Sequence, residues 1–88
     1  MRILVLSTTG HPEANLESAR YFIENKSNID KITVLSTTYM DEQGKTDLLV
    51  QSLKLISQAA IEILNIPNGY EESNMFAIQE MILNWANQ

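Results

Sequence analysis

The chain has 88 residues, 44% of them hydrophobic, and a net charge of -5 with no cysteine. That length makes one domain, and a chain so short buries only about 60% of its unfolded surface, which leaves a thin core and room for a partner subunit. The acidic balance argues against a long nucleic-acid face or an anionic membrane surface, and the missing cysteine removes disulfides, thiolate ligands and cysteine nucleophiles together.

The first pattern is the apolar run Ile3-Leu4-Val5-Leu6, followed at once by Ser7-Thr8-Thr9-Gly10-His11-Pro12. It is far shorter than the roughly 20 residues that span a bilayer, and it has neither the basic lead nor the small-residue cleavage site of a signal peptide. A cytoplasmic location is the expectation. The run predicts a strand over about Arg2 to Ser7. Its apolar residues do not alternate with polar ones, the pattern of a strand covered on both faces, which predicts a central position. Pro12 fits a first helical position, Glu13 suits the positive end of the helix dipole, and Leu16, Ala19, Phe22 and Ile23 recur at helical spacing to about Asn25.

A turn at Asn25-Lys26-Ser27-Asn28 leads to a second strand, about Lys31 to Ser36, ending in Ser36-Thr37-Thr38, a near copy of the first strand's tip. The two strands and their helix form a βαβ unit with a right-handed crossover. Tyr39 to Lys45 is polar enough to be a loop, and Thr46 or Asp47 is placed to cap a helix that shows Leu49, Leu53 and Ile56 on one face. Ala60 to Ile66 fits either a continuation of that helix or a third strand; its isoleucines and the Pro67-Asn68-Gly69 stop favour the strand. A last helix runs from about Ser73 to Ala86, with Met75, Ile78, Ile82 and Trp85 or Ala86 inward. Met75, Phe76, Met81 and Trp85 read as core or interface side chains, and any left exposed are candidate dimer contacts.

The fold class is therefore α/β: a small Rossmann-like, three-layer β-α-β-α-β-α domain with a parallel sheet in strand order 3-2-1. That order leaves the first strand at an edge, in tension with its central pattern. A long apolar edge is an aggregation hazard, which points to a homodimer built around it.

In open α/β sheets, ligands sit beyond the carboxyl ends of the strands, where a helix N-terminus offers free N–H groups to an anion. Ser7, Thr8, Thr9, Gly10 and His11 occupy such a tip, with Ser36, Thr37 and Thr38 beside it as a hydroxyl-lined ledge. Gly10 allows close approach of a ligand to backbone, and His11 offers a donor or a general acid. The same residues also suffice simply to turn the chain and cap the helix. Neither G-x-G-x-x-G nor G-x-x-x-x-G-K-[ST] occurs, and one histidine cannot build a multi-histidine metal site or a His-based triad alone. Lys45 is the lone cation of these loops, amid Glu13, Asp41, Glu42, Glu71 and Glu72. Such acidity argues against a polyphosphate; it suits a solvated rim or, less readily, a divalent-cation site.

The stretch ILVLSTTGHPEANLESA, the entry Asp30-Lys31 into Ile32-Thr33-Val34-Leu35-Ser36-Thr37-Thr38, and the spacing to IEILNIP and a closing helix together resemble the first half of a CRISPR-associated Rossmann fold (CARF) domain, the sensor module of type III CRISPR defence. The resemblance implies a homodimer that binds a cyclic oligoadenylate second messenger across its two-fold axis without a cofactor. It implies ligand contacts from Thr8, Thr9, Gly10, Asn15, Ser36, Thr37, Thr38 and Lys45. Some relatives, the ring nucleases, cleave the messenger without metal by in-line attack of a ribose 2′-hydroxyl, and this would give His11 and Ser7 catalytic roles. The family's second ligand motif, a glycine- and lysine-containing loop after a later strand, has no counterpart within these 88 residues. The alternative expectation is a nonenzymatic interaction module that recruits a partner through the open sheet edge and the last helix.

Overall fold

Three parallel strands alternate with three helices: β1 (Arg2–Ser7), α1 (Pro12–Asn25), β2 (Lys31–Thr37), α2 (Lys45–Ile56), β3 (Ala60–Ile66) and α3 (Glu72–Ala86). The computed structural model describes residues 1–7, 12–25, 28–37, 42–66 and 72–88, with backbone alone at 7, 12, 72–75 and 77. The sheet order is β1-β2-β3, the expected 3-2-1 read from the other edge. The stretch from Ala60 to Ile66 is a strand, as its isoleucines and the following Pro-Asn-Gly suggested.

The strands start level because Asp30 ties their entries together. Its N–H donates to the Met1 carbonyl (3.1 Å), and its own carbonyl accepts from the Ala60 N–H (3.1 Å). The resulting register sets Ile3 and Val5 of β1 beside Ile32 and Val34 of β2, with Ile61 and Ile63 of β3 next in line. Side chains alternate between the faces of a strand, so these residues share one face. There Val5, Ile32 and Val34 pack with Ala19 of α1 and with Leu49 and Leu53 of α2 to form the buried core. Both βαβ crossovers thus lay their helices on the same side of the sheet.

The opposite face belongs to α3 and carries a polar seam. The Trp85 indole N–H donates to Thr33 Oγ1 (3.0 Å), and the Thr33 hydroxyl donates to Glu62 Oε1 (3.4 Å). Glu62 Oε2 in turn pairs with Lys31 Nζ at 2.9 Å. At the sheet edge the Arg2 guanidinium lies 4.5 Å from the centre of the Trp85 ring and donates to the carbonyls of Trp85 (3.0 Å) and Gln88 (3.2 Å).

Two sequence expectations are corrected. The central strand is β2, buried from Ile32 through Thr37, whereas β1 lies at the edge and has Val5 as its one buried side chain among those described. An unbroken apolar pattern reports coverage of a strand's two faces and says nothing about whether its edges are paired. The second correction concerns the start of α2. Neither Thr46 nor Asp47 caps it: the helix begins at Lys45, and its N-cap is Gly44 at φ 70°, with no side-chain cap. Thr46 instead turns into the core. Element ends elsewhere shift by one residue, with β2 reaching Thr37 and α3 beginning at Glu72.

Candidate functional site

Parallel register sets Ser7 opposite Ser36, so the carboxyl ends of β1 and β2 are brought side by side as the sequence anticipated. The hydroxyls of β2 do not form an open ledge there. Ser36 is fully buried, and its hydroxyl shares a hydrogen bond with that of Thr46, which ties the end of β2 to the first turn of α2. Thr37 is also buried and takes part in an interaction of its own. Lys45, the first residue of α2, is half-buried and likewise engaged. Asn15 stands in the first turns of α1, half-buried and on the side facing β1. Thr8, Thr9, Gly10, His11 and Thr38 lie outside the described residues, as does the side chain of Ser7. Among the described residues no three His, Asp or Glu side chains converge to hold a metal ion, and no helix is long and apolar enough to cross a membrane.

What the described residues do build is a groove of about 490 Å³ along the outer edge of β1. Its floor is the strand itself from Arg2 to Leu6. One wall is α1, through Asn15, Ala19 and Phe22; the other is Trp85 of α3, held in place by Arg2 and Thr33. The lining is mostly apolar, and two of its large side chains remain open to solvent, Leu6 at 45% and Phe22 at 47% exposure. Along this edge β1 has no neighbouring strand among the described residues, and it presents the N–H and C=O groups that an added strand would satisfy. The groove therefore combines main-chain hydrogen-bonding groups in its floor with apolar walls on both faces of the sheet, the arrangement used in strand addition.

Natural edges are usually blunted by charge, proline, a bulge or extreme shortness. This one runs for six residues with no proline, and its single charged side chain, Arg2, is folded back onto Trp85 and Gln88. Of the groove residues, only Asn15 was among the sequence-level candidates. Helical periodicity turned Phe22 inward and left Trp85 or Ala86 as the inward residue of the last helix; it finds the apolar stripe of a helix but cannot tell which part of it lies beyond the last strand.

No family model, curated protein or solved structure matches this chain.

Proposed function

We propose that this chain is a protein-interaction module that works by strand addition, accepting an extended apolar segment in the groove between α1 and Trp85. The observation that carries this reading is the conjunction of an unpaired β1 edge with walls rising on both faces of the sheet. Main-chain hydrogen bonds would supply affinity, and the requirement for a segment apolar on both of its faces would supply selectivity. Trp85 is the sole tryptophan, so its emission reports occupancy directly. The test is a titration with extended peptides that carry a run of valine and isoleucine between lysine flanks. A saturable blue shift of Trp85, with slowed hydrogen exchange at the β1 amides, is expected, and both are lost in Leu6→Lys. Unchanged emission and unchanged β1 exchange refute the proposal.

A second reading draws on the level carboxyl ends of β1 and β2, which set Ser7 opposite Ser36 at the place where open α/β sheets hold ligands. In this reading the chain is a homodimeric, cytoplasmic CARF-like sensor of a cyclic oligoadenylate. Ser7, Thr8, Thr9, Gly10 and His11 would contact the phosphates and riboses together with Asn15, Thr38 and Lys45, while Ser36 and Thr37, buried at the end of β2, would not reach them directly. Cleavage, if present, proceeds by 2′-hydroxyl attack without metal. Thermal melts with a panel of cyclic oligoadenylates test it, because a site filled at about 100 times its dissociation constant adds about 2.7 kcal/mol. No shift at such concentrations sinks this reading. Equal cleavage by wild type and His11→Ala in chelator removes His11 from the chemistry.

A further inference from the structure

We infer that the occupant of the β1 groove is β1 of a second copy of this chain, laid antiparallel across a two-fold axis to give one six-stranded sheet. This rests on the strand-addition reading and names the partner. The walls stand on both faces of the sheet, so the incoming strand must be apolar on both sides. Among the described strands only β1 meets that requirement with a free edge: Ile3 and Val5 point to the α1 face, Leu4 and Leu6 to the α3 face. The alternatives are ruled out by their own composition or pairing, since β2 is paired on both sides and β3 carries Glu62 and Asn65.

Charge allows the approach. At 100° per residue, Asn15, Ser18, Ala19 and Phe22 share one side of α1, while Glu13, Glu17 and Glu24 lie roughly opposite, so an incoming copy meets no carboxylate of α1 at the groove. Antiparallel pairing also keeps the Arg2 residues of the two copies at least about 13 Å apart along the strands, beyond the roughly 8 Å Debye length of physiological salt.

Side-chain alternation then restricts the register. Opposed residues of an antiparallel pair point to the same face, and the faces of β1 alternate. If helices of both copies are to cover the same faces, the axis must pass through a residue, and of the registers this allows, Leu4 opposite the partner's Leu4 or Val5 opposite the partner's Val5 pairs the most of Arg2–Ser7. A register centred between residues would set an α1-facing side chain against an α3-facing one.

The absence of native cysteine makes this directly measurable. By sedimentation equilibrium, wild type is expected at twice its 10.0 kDa mass. Leu6→Lys is expected as a folded monomer, and the control Leu55→Lys, at an exposed α2 position away from the groove, as a dimer. Phe22→Lys, on the α1 wall, replaces Leu6→Lys if that variant does not fold. On oxidation, either Leu4→Cys or Val5→Cys is expected to give a disulfide-linked dimer, and Ile3→Cys to stay unlinked. The inference is overturned by wild type monomeric into the millimolar range, by a dimer that both lysine variants of the groove leave intact, or by linkage strongest at Ile3→Cys. A monomer that still takes up the test peptide overturns the second copy and leaves strand addition standing; a monomer that ignores it overturns both.

Discussion

Replacing Ser36 tests whether the end of β2 is a structural tie or an open hydroxyl. Ser36 is 0% exposed and Thr46 is 2% exposed, and their hydroxyls bond to each other between β2 and α2. Ser36→Ala removes one partner and leaves the Thr46 hydroxyl buried without it, at a cost of about 1–3 kcal/mol. Thr46→Val keeps the branched shape but strands the Ser36 hydroxyl, with a cost in the same range. The double variant removes both polar groups, so its loss should fall well below the sum of the single losses, with a coupling of about 1–2 kcal/mol. Urea unfolding followed by far-UV circular dichroism measures all four corners of the cycle, and in thermal melts each kcal/mol appears as about 4–8 °C for a domain of this size. A neutral Ser36→Ala, or losses that simply add, would refute the tie between β2 and α2.

Further perturbations isolate other determinants of the fold. Gly44 holds φ 70° with nothing within 4 Å of an added Cβ, so Gly44→Ala should cost about 1 kcal/mol from backbone conformation alone, and Gly44→Asn less. Leu53, fully buried between α2 and the sheet, should lose about 2–5 kcal/mol on change to alanine, read from the urea midpoint. The Asp30 carboxyl is held below its ordinary 3.8, chiefly by the hydrogen bond from the Met1 ammonium, with which it forms a 3.3 Å ion pair. A depressed folded pKa stabilises at pH values above the unfolded one, and that contribution disappears as pH falls through the folded value. Acetylating the N-terminus should therefore raise the Asp30 pKa in an NMR titration and flatten the stability profile on the acid side of pH 3.8.

The elements themselves were legible in the residues, because each local signal agreed with its neighbours. Isoleucine enrichment ahead of Pro67 separated a strand from a prolonged helix, and Pro12 marked the start of α1. Position within the sheet was less legible. The pattern Ile3-Leu4-Val5-Leu6 records apolar surroundings above and below, and both a central strand and a walled edge strand supply them. The hydroxyl repeat was similarly ambiguous. A serine at a strand tip serves a ligand or a neighbouring helix equally well, and only the inward turn of Thr46 decides for the helix at Ser36. Helical spacing marked Trp85 as a core or interface side chain without distinguishing the two, since its position at the groove follows from the path of α3 across the sheet.

The proposed dimer also bears on the second reading. Antiparallel β1 strands send their carboxyl ends in opposite directions, so the Ser7 ends of the two copies would lie at opposite ends of the joined strand pair. A nucleotide sensor would need a different two-fold axis, and the cysteine linkage pattern separates the two assemblies.

The polar seam beneath α3 has a consequence for how the molecule breathes. The core cluster on one face of the sheet is shared among β1, β2, α1 and α2, and on the other face Leu35 and Ile66 are fully buried, whereas no described side chain of α3 is, and Phe76 and Leu83 stand 77% and 62% exposed. Among the described side chains of α3, the polar anchors lie near its last turn, where Trp85 meets Arg2 and Thr33. Local opening follows the distribution of buried apolar surface, so α3 should detach as a separate cooperative unit while the rest of the sheet stays folded. Its amides should exchange through that partial opening, well ahead of those around Leu49 and Leu53. Each such event would bare the α3 face of β1, so the wall that completes the groove is also its least permanent part.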